Sequence, residues 1–135
     1  MSAAALPFID TNVLLYLFSA DAAKADRAEQ AVGAGGVISV QVLNEFASVA
    51  TRKLSMSIAE AQEALAVIRA NCTVVPLTEQ THDLGMALAA DHALSIYDAM
   101  ILAAALQAGC SDLLSEDMQH SQRIAGRLTI RNPFR

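Results

Sequence analysis

The chain has 135 residues, 54% of them hydrophobic, no tryptophan, and a formal net charge of −5. This size and composition fit one compact, helix-rich domain and exclude a disordered or fibrous chain. The acidic balance argues mildly against nucleic-acid binding, an objection weakened but not removed by the grouping of Arg123, Arg127, Arg131 and Arg135 in the last thirteen positions. The longest apolar stretch, Ala99 to Cys110, is too short to cross a bilayer and carries Gln107 and Gly109 near its end.

Apolar runs alternate between strand-like and helix-like lengths, which predicts an α/β fold around a mainly parallel sheet. Leu6 to Ile9 reads as a short buried strand, followed by a helix from near Asn12 and another from about Ala22 to Val32. Gly33, Gly35 and Gly36 stop that helix and lead into a strand at Val37 and Ile38. Ser39 is placed to cap a helix running to about Lys53. Ser57 and Glu60 have capping-box spacing and open a helix to about Ala70. Thr73 to Val75 forms a third strand, closed by Pro76. Thr78 starts a helix that breaks around Asp91 to Leu94, and Ser95 begins the next, ended by Gly109. Asp112 to Leu114 and Leu128 to Ile130 supply the last strands. No repeat, linker or low-complexity segment interrupts this order, so residues 1–135 are expected to form a single domain. Met1 to Pro7 lacks the basic start and apolar run of a secretory signal, so a cytoplasmic location is expected. Cys72 and Cys110 form no CxxC pattern and read as reduced thiols at core edges.

Four acids stand where strands run out or helices turn a polar edge inward: Asp10, Glu45, Asp98 and Asp117. Gathering carboxylates gains a fold little unless a hard cation or a reacting proton holds them together. Each acid also has an ordinary reading. Asp10 can cap the helix after the first strand. Glu45 lies beside Gln41, Ser48 and Arg52, just outside the arc of Val42, Leu43, Phe46, Ala47, Val49 and Ala50, and can be a solvated helix glutamate. Asp98 precedes Ile101 and Leu102 on the apolar stripe, yet Ser95 and Asp98 also fit a capping box. Asp117 follows a strand beside Glu116; adjacent side chains point apart, so only one of the two faces a site, and Asp117 is the better ligand. All four reach one crevice only if the first and fourth strands are neighbours.

In blocks covering almost the whole chain, the sequence resembles the PIN-domain family, specifically the VapC-type ribonuclease toxins of toxin–antitoxin pairs. The blocks are Phe8-Ile9-Asp10-Thr11-Asn12-Val13, Val42-Leu43-Asn44-Glu45-Phe46, Ile96-Tyr97-Asp98-Ala99-Met100-Ile101, Leu113-Leu114-Ser115-Glu116-Asp117-Met118 and the ending Leu128 to Phe134. The resemblance implies a three-layer α/β/α sandwich around a mainly parallel sheet of about five strands. It also implies one acidic pocket holding Mg²⁺ or Mn²⁺ through Asp10, Glu45, Asp98 and Asp117, with Thr11, Asn12 and Ser115 in support. An RNA substrate, a cognate antitoxin and a homodimer come with it. The helix from Ser57 to Ala70 and the one before it offer surface for the second copy. One departure is Met118-Gln119-His120-Ser121, where relatives often have glycine after an acidic residue.

The chemistry suits these residues. Mg²⁺ takes a few carboxylates and keeps several waters, and a metal-bound water with lowered pKa can attack phosphorus. In-line attack leaves a 5′-phosphate and a 3′-hydroxyl, with Asp98 or Glu45 free to orient the water. Arg123 and Arg127, spaced like successive helical turns, are candidates for RNA phosphates, or else ordinary surface charge. His82, His92 and His120 have no zinc-site spacing and read as surface or half-buried structural groups. An aspartyl phosphatase of the haloacid dehalogenase type fits less well. It needs a second Asp where Asn12 stands and a late lysine, whereas the only lysines are Lys24 and Lys53. A PIN-like module that binds RNA or protein without cutting is the remaining alternative.

Overall fold

A computed structural model describes residues 6–135. Most of the N-terminal segment that bears on the signal reading lies outside them. In chain order the elements are β1 (Phe8–Ile9), α1 (Thr11–Leu15), a 3-10 turn (Tyr16–Phe18), α2 (Ala22–Gly33), β2 (Gly36–Ser39), α3 (Val40–Lys53), α4 (Ile58–Asn71) and β3 (Cys72–Val75). They continue with α5 (Glu79–His92), α6 (Ile96–Gln107), β4 (Asp112–Leu114), β5 (Arg123–Ile124) and β6 (Leu128–Arg131).

Local chemistry sets most of the boundaries. Ser39, Ser57, Thr78 and Ser95 each accept a backbone N–H from the first turn of the following helix. At α4 the box is reciprocal, the Glu60 carboxylate accepting from the Ser57 N–H at 2.9 Å. Gly35, at φ +88°, makes the left-handed turn between α2 and β2. Gly36 then lies so close to β1 that a Cβ there would stand 2.6 Å from Ile9 Cδ1 and 3.0 Å from the Pro7 carbonyl.

The strands form one sheet in the order β3-β2-β1-β4-β6-β5. The expected five parallel strands are present, and the sheet gains a sixth, β5, antiparallel to β6 at the edge. Every residue of β1 and β2 is buried, so helices cover both faces, as parallel sheets require. The neighbouring of β1 and β4, with Phe8 opposite Leu113 and Ile9 opposite Leu114, joins chain segments far apart in sequence. The apolar stretch beginning at Ala99 is a core helix: α6 is buried continuously from Ala99 to Leu106. Among the described residues no single helix is long and apolar enough to cross a membrane. Cys72 and Cys110 are free thiols, with Cys110 buried.

Candidate active site

Because β1 and β4 are parallel neighbours, the chain leaves both at the same edge of the sheet, the carboxyl end where open α/β folds place their crevices. Asp10 follows β1, and Ser115, Glu116 and Asp117 follow β4. Glu45 comes from α3 and Asp98 from the first turn of α6. All four expected acids, Asp10, Glu45, Asp98 and Asp117, line a single cleft of about 630 Å³.

Asp10 is the anchor. It is 4% exposed, and its backbone N–H donates to the Leu114 carbonyl at 2.9 Å, tying it to β4. One carboxylate oxygen accepts from the Thr11 N–H at 2.7 Å, so Asp10 is a helix cap as well as a cleft acid. The other accepts from Ser115 Oγ at 2.8 Å and Asn12 Nδ2 at 3.0 Å. Burial pushes its pKa up from 3.8 to about 7 against the pull of these hydrogen bonds, and the charges of Asp98 and Glu45 raise it further.

The supporting residues Thr11, Asn12 and Ser115 are all engaged. Thr11 Oγ1 donates to Glu45 Oε2 at 2.8 Å, and Gln41 Nε2 donates to the other Glu45 oxygen at 3.1 Å. Asn12 Oδ1 accepts the Glu116 N–H at 3.0 Å, fixing the loop that carries Asp117. Asp98 receives its expected cap, its N–H donating to Ser95 Oγ at 3.2 Å. Its carboxyl is half-buried and held above the usual carboxylate range, chiefly by burial, with the Asp117 charge adding to the rise.

Of the acidic pair, Asp117 is exposed on the cleft and Glu116 turns away. Glu116 is not simply solvated: its carboxylate pairs with Lys24 Nζ at 2.7 Å and accepts from the Tyr16 hydroxyl. These bonds hold its pKa below the usual value, Lys24 contributing most. Lys24 also lies over the rings of Tyr16 and Phe134, at 4.5 and 5.6 Å from their centroids.

One expectation on basic groups is corrected. Arg123 and Arg127 are not on a helix; they lie within the β5–β6 hairpin, Arg123 opening β5 and pairing with Thr129, Arg127 in the turn before β6. Thr129 lies opposite Asp112, the first residue of β4, so the hairpin tip is at the end of the sheet away from the acids. His120 is half-buried and has the structural role expected of it: its Nδ1 accepts the Asn132 N–H at 2.9 Å. The cleft also contains Gln41, Asn44, Ser48, Arg52 and Tyr97, none of them singled out as a site residue from sequence. The signal was the polar stripe at positions 41, 45, 48 and 52 of α3.

The donor set fits a hard divalent cation. Besides the acids the cleft offers hydroxyls, amides and the Arg52 guanidinium, with no thiolate or imidazole, and among the described residues the carboxylates that raise the pKa of Asp10 and Asp98 have no ion-pair partner. Among the described residues no three potential ligands are already drawn together as a closed cage. Acids held apart in an open cleft suit Mg²⁺, which retains most of its waters.

The PIN domain family profile matches residues 8–125, a span that contains all four acids. The chain belongs to the PIN-domain family. Solved structures with this PIN fold include a toxin–antitoxin complex from Klebsiella pneumoniae, 22% identical, covering 94% of this chain and 97% of that one with a TM-score of 0.71. VapC20 of Mycobacterium tuberculosis, a toxin that cleaves the sarcin–ricin loop, is 20% identical, with coverage of 82% and 88% and a TM-score of 0.68. A DNA-bound VapBC from Salmonella typhimurium is 20% identical, with coverage of 96% and 98% and a TM-score of 0.66. At these identities the likeness is one of fold. No curated protein sequence matches the chain.

Proposed function

We propose that this PIN-domain protein is a metal-dependent endoribonuclease and the toxin of a toxin–antitoxin pair, acting in the cytoplasm on RNA. The observation that carries the reading is the convergence of Asp10, Glu45, Asp98 and Asp117 from four separate segments on one cleft. The toxin role draws its support from the toxin–antitoxin structures that share the fold.

In this reading Asp10, Asp98, Asp117 and Glu45 would hold Mg²⁺ or Mn²⁺. When bound, the cation lowers the pKa of a coordinated water and stabilises negative charge on the phosphate and the leaving oxygen. The chain does the rest. Ser115 and Asn12 fix the Asp10 carboxylate, and Thr11 and Gln41 fix that of Glu45. Asp98, half-buried and with a raised proton affinity, is the group suited to take a proton from the attacking water at its carboxylate oxygen. In-line attack then leaves a 5′-phosphate and a 3′-hydroxyl. Exposed Ile58 and Val67 on α4 support the surface expected for a second copy of the chain.

The test is cleavage of a mixed pool of single-stranded and structured RNAs with Mg²⁺, with Mn²⁺ and with chelator, alongside Asp98→Asn. The reading expects metal-dependent cutting that leaves 5′-phosphates and falls at least about a hundred-fold in the variant. A folded protein that binds metal and RNA but cuts nothing overturns it in favour of a PIN-like binding module.

A further inference from the structure

A cleft lined by four carboxylates repels a phosphodiester, and a cation held by those carboxylates serves the phosphate being cleaved, leaving its neighbours unmatched. The end of α3 brings the missing charge. Among the described residues Arg52 is the one cationic residue lining the acidic cleft. Lys53, the next residue, lines a second cavity of about 430 Å³. The two cavities share Asn12, Leu15, Val49 and Asp117, so they adjoin as one groove, with one member of the basic pair in each.

A basic last turn complements the helix dipole wherever its side chains point. Arg52 is more constrained than that role demands. Its Nε donates to Ser48 Oγ at 3.1 Å, one turn back, which directs the guanidinium and leaves its terminal nitrogens for another acceptor. Among the described residues the ion pairs are Lys24–Glu116 and Arg131–Asp112, so Arg52 and Lys53 stand unpaired in spite of the acids nearby. The second cavity is walled by Leu15, Phe18 and Leu54, apolar surface of the kind a base or ribose covers.

We propose that Arg52 and Lys53 grip consecutive phosphates of one RNA strand that runs from the acidic cleft into the adjoining cavity. Arg52 takes the phosphate beside the scissile one, and Lys53 the next. The inference rests on the ribonuclease reading and adds the path of the substrate. That path lies on the edge of the sheet opposite to the Arg123–Arg127 hairpin.

The test uses the full chain carrying Asp98→Asn, so that RNA is bound without being cut, and a short mixed-sequence single-stranded RNA as probe. Arg52→Gln should weaken binding about ten-fold, as loss of a charge-assisted hydrogen bond does. Arg52→Gln and Lys53→Gln should each reduce the slope of log affinity against log salt by about 0.7. Arg52→Lys should restore the slope, and Arg123→Gln with Arg127→Gln should leave it unchanged. In the chain with Asp98 intact, Arg52→Gln should raise KM with far less change in kcat. Mn²⁺ binding, followed by titration, should be no weaker than in the parent.

Parental affinity and salt slope in both variants would overturn the inference, with cleavage by the parent still upholding the ribonuclease reading; the pair would then serve another partner, such as an acidic protein segment. Weakened Mn²⁺ binding in Arg52→Gln would also overturn it, by showing that Arg52 acts on the acids. Failure of the parent to bind or cut RNA would overturn both.

Discussion

Replacing Asp10 by asparagine should make the metal-free protein more stable while abolishing its response to metal. The folded carboxyl titrates near 7 and the unfolded one near 3.8. Between these values the native state holds the extra proton, so this group's contribution to stability falls as pH rises across the window, and the full penalty is present above it. A rise of that size corresponds to about 4 kcal/mol. Asparagine keeps the shape and can still cap Thr11, and the Ser115 hydroxyl can reverse its bond. Asn12 Nδ2, however, loses its Asp10 acceptor and keeps only the longer bond to Ser115 Oγ at 3.3 Å, at a cost of about 1 kcal/mol. The balance is a gain of about 3 kcal/mol, or roughly 10 °C in Tm for a chain of this size. Thermal denaturation of both proteins in chelator, from pH 4 to 8, reads it directly: the difference should be small at the acid end and grow towards pH 7. Added Mn²⁺ should raise the Tm of the parent and leave the variant where it was. A variant less stable than its parent in chelator above pH 7 would refute the reasoning, because Asp10 would then be a structural acid with no unmet charge.

Two further expectations concern groups away from the reacting centre. Tyr16 titrates above its ordinary value chiefly because it donates to Glu116, while Lys24 pulls the other way. In a Tyr97→Phe background, Glu116→Gln should lower the phenol's midpoint by absorbance titration and Lys24→Met should raise it; shifts of the same sign in both would disprove the arrangement. Gly36→Ala should cost about 2 kcal/mol in urea denaturation, because the new methyl meets Ile9 and the Pro7 backbone. Gly85→Ala should cost less than about 1 kcal/mol, since its nearest obstruction is the flexible end of Met100 and alanine favours the helix. Equal losses at the two glycines would show that the atoms around Gly36 move aside as easily as Met100.

What could be read from the sequence was what depends on near neighbours. Ser39, Ser57, Thr78 and Ser95 were recognisable as caps because each bond spans three residues, and all four are made. The acids were recognisable because strand ends mark a crevice, and parallel pairing of β1 with β4 gathers them. β5 was missed because two residues carry no periodicity; Arg123 and Ile124 are a strand only through pairing with Thr129 and Leu128. Missing it also made Arg123 and Arg127 look like one helical face. Arg52 was visible beside Glu45 but did not read as a site residue, because a basic last turn has an ordinary electrostatic explanation. Lys24 and Glu116, 92 residues apart, had no signature linking them at all.

The bond between Ser115 and Asp10 spans 105 positions, and this separation orders events during synthesis. The first strand, α1 and α3 leave the ribosome long before β4 exists. Until β4 emerges, Asp10 lacks its hydroxyl donor, the Asn12 carbonyl has no Glu116 to hold, and the fourth acid is missing. Closing so long a loop also makes the β1–β4 pairing a late event, one that waits for more than a hundred residues to be made. A polypeptide interrupted before β4 can hold a partial sheet yet has no complete cleft. Whatever reaction the cleft performs is therefore withheld until β4 and the loop carrying Asp117 have been translated, and a product terminated before them is chemically silent.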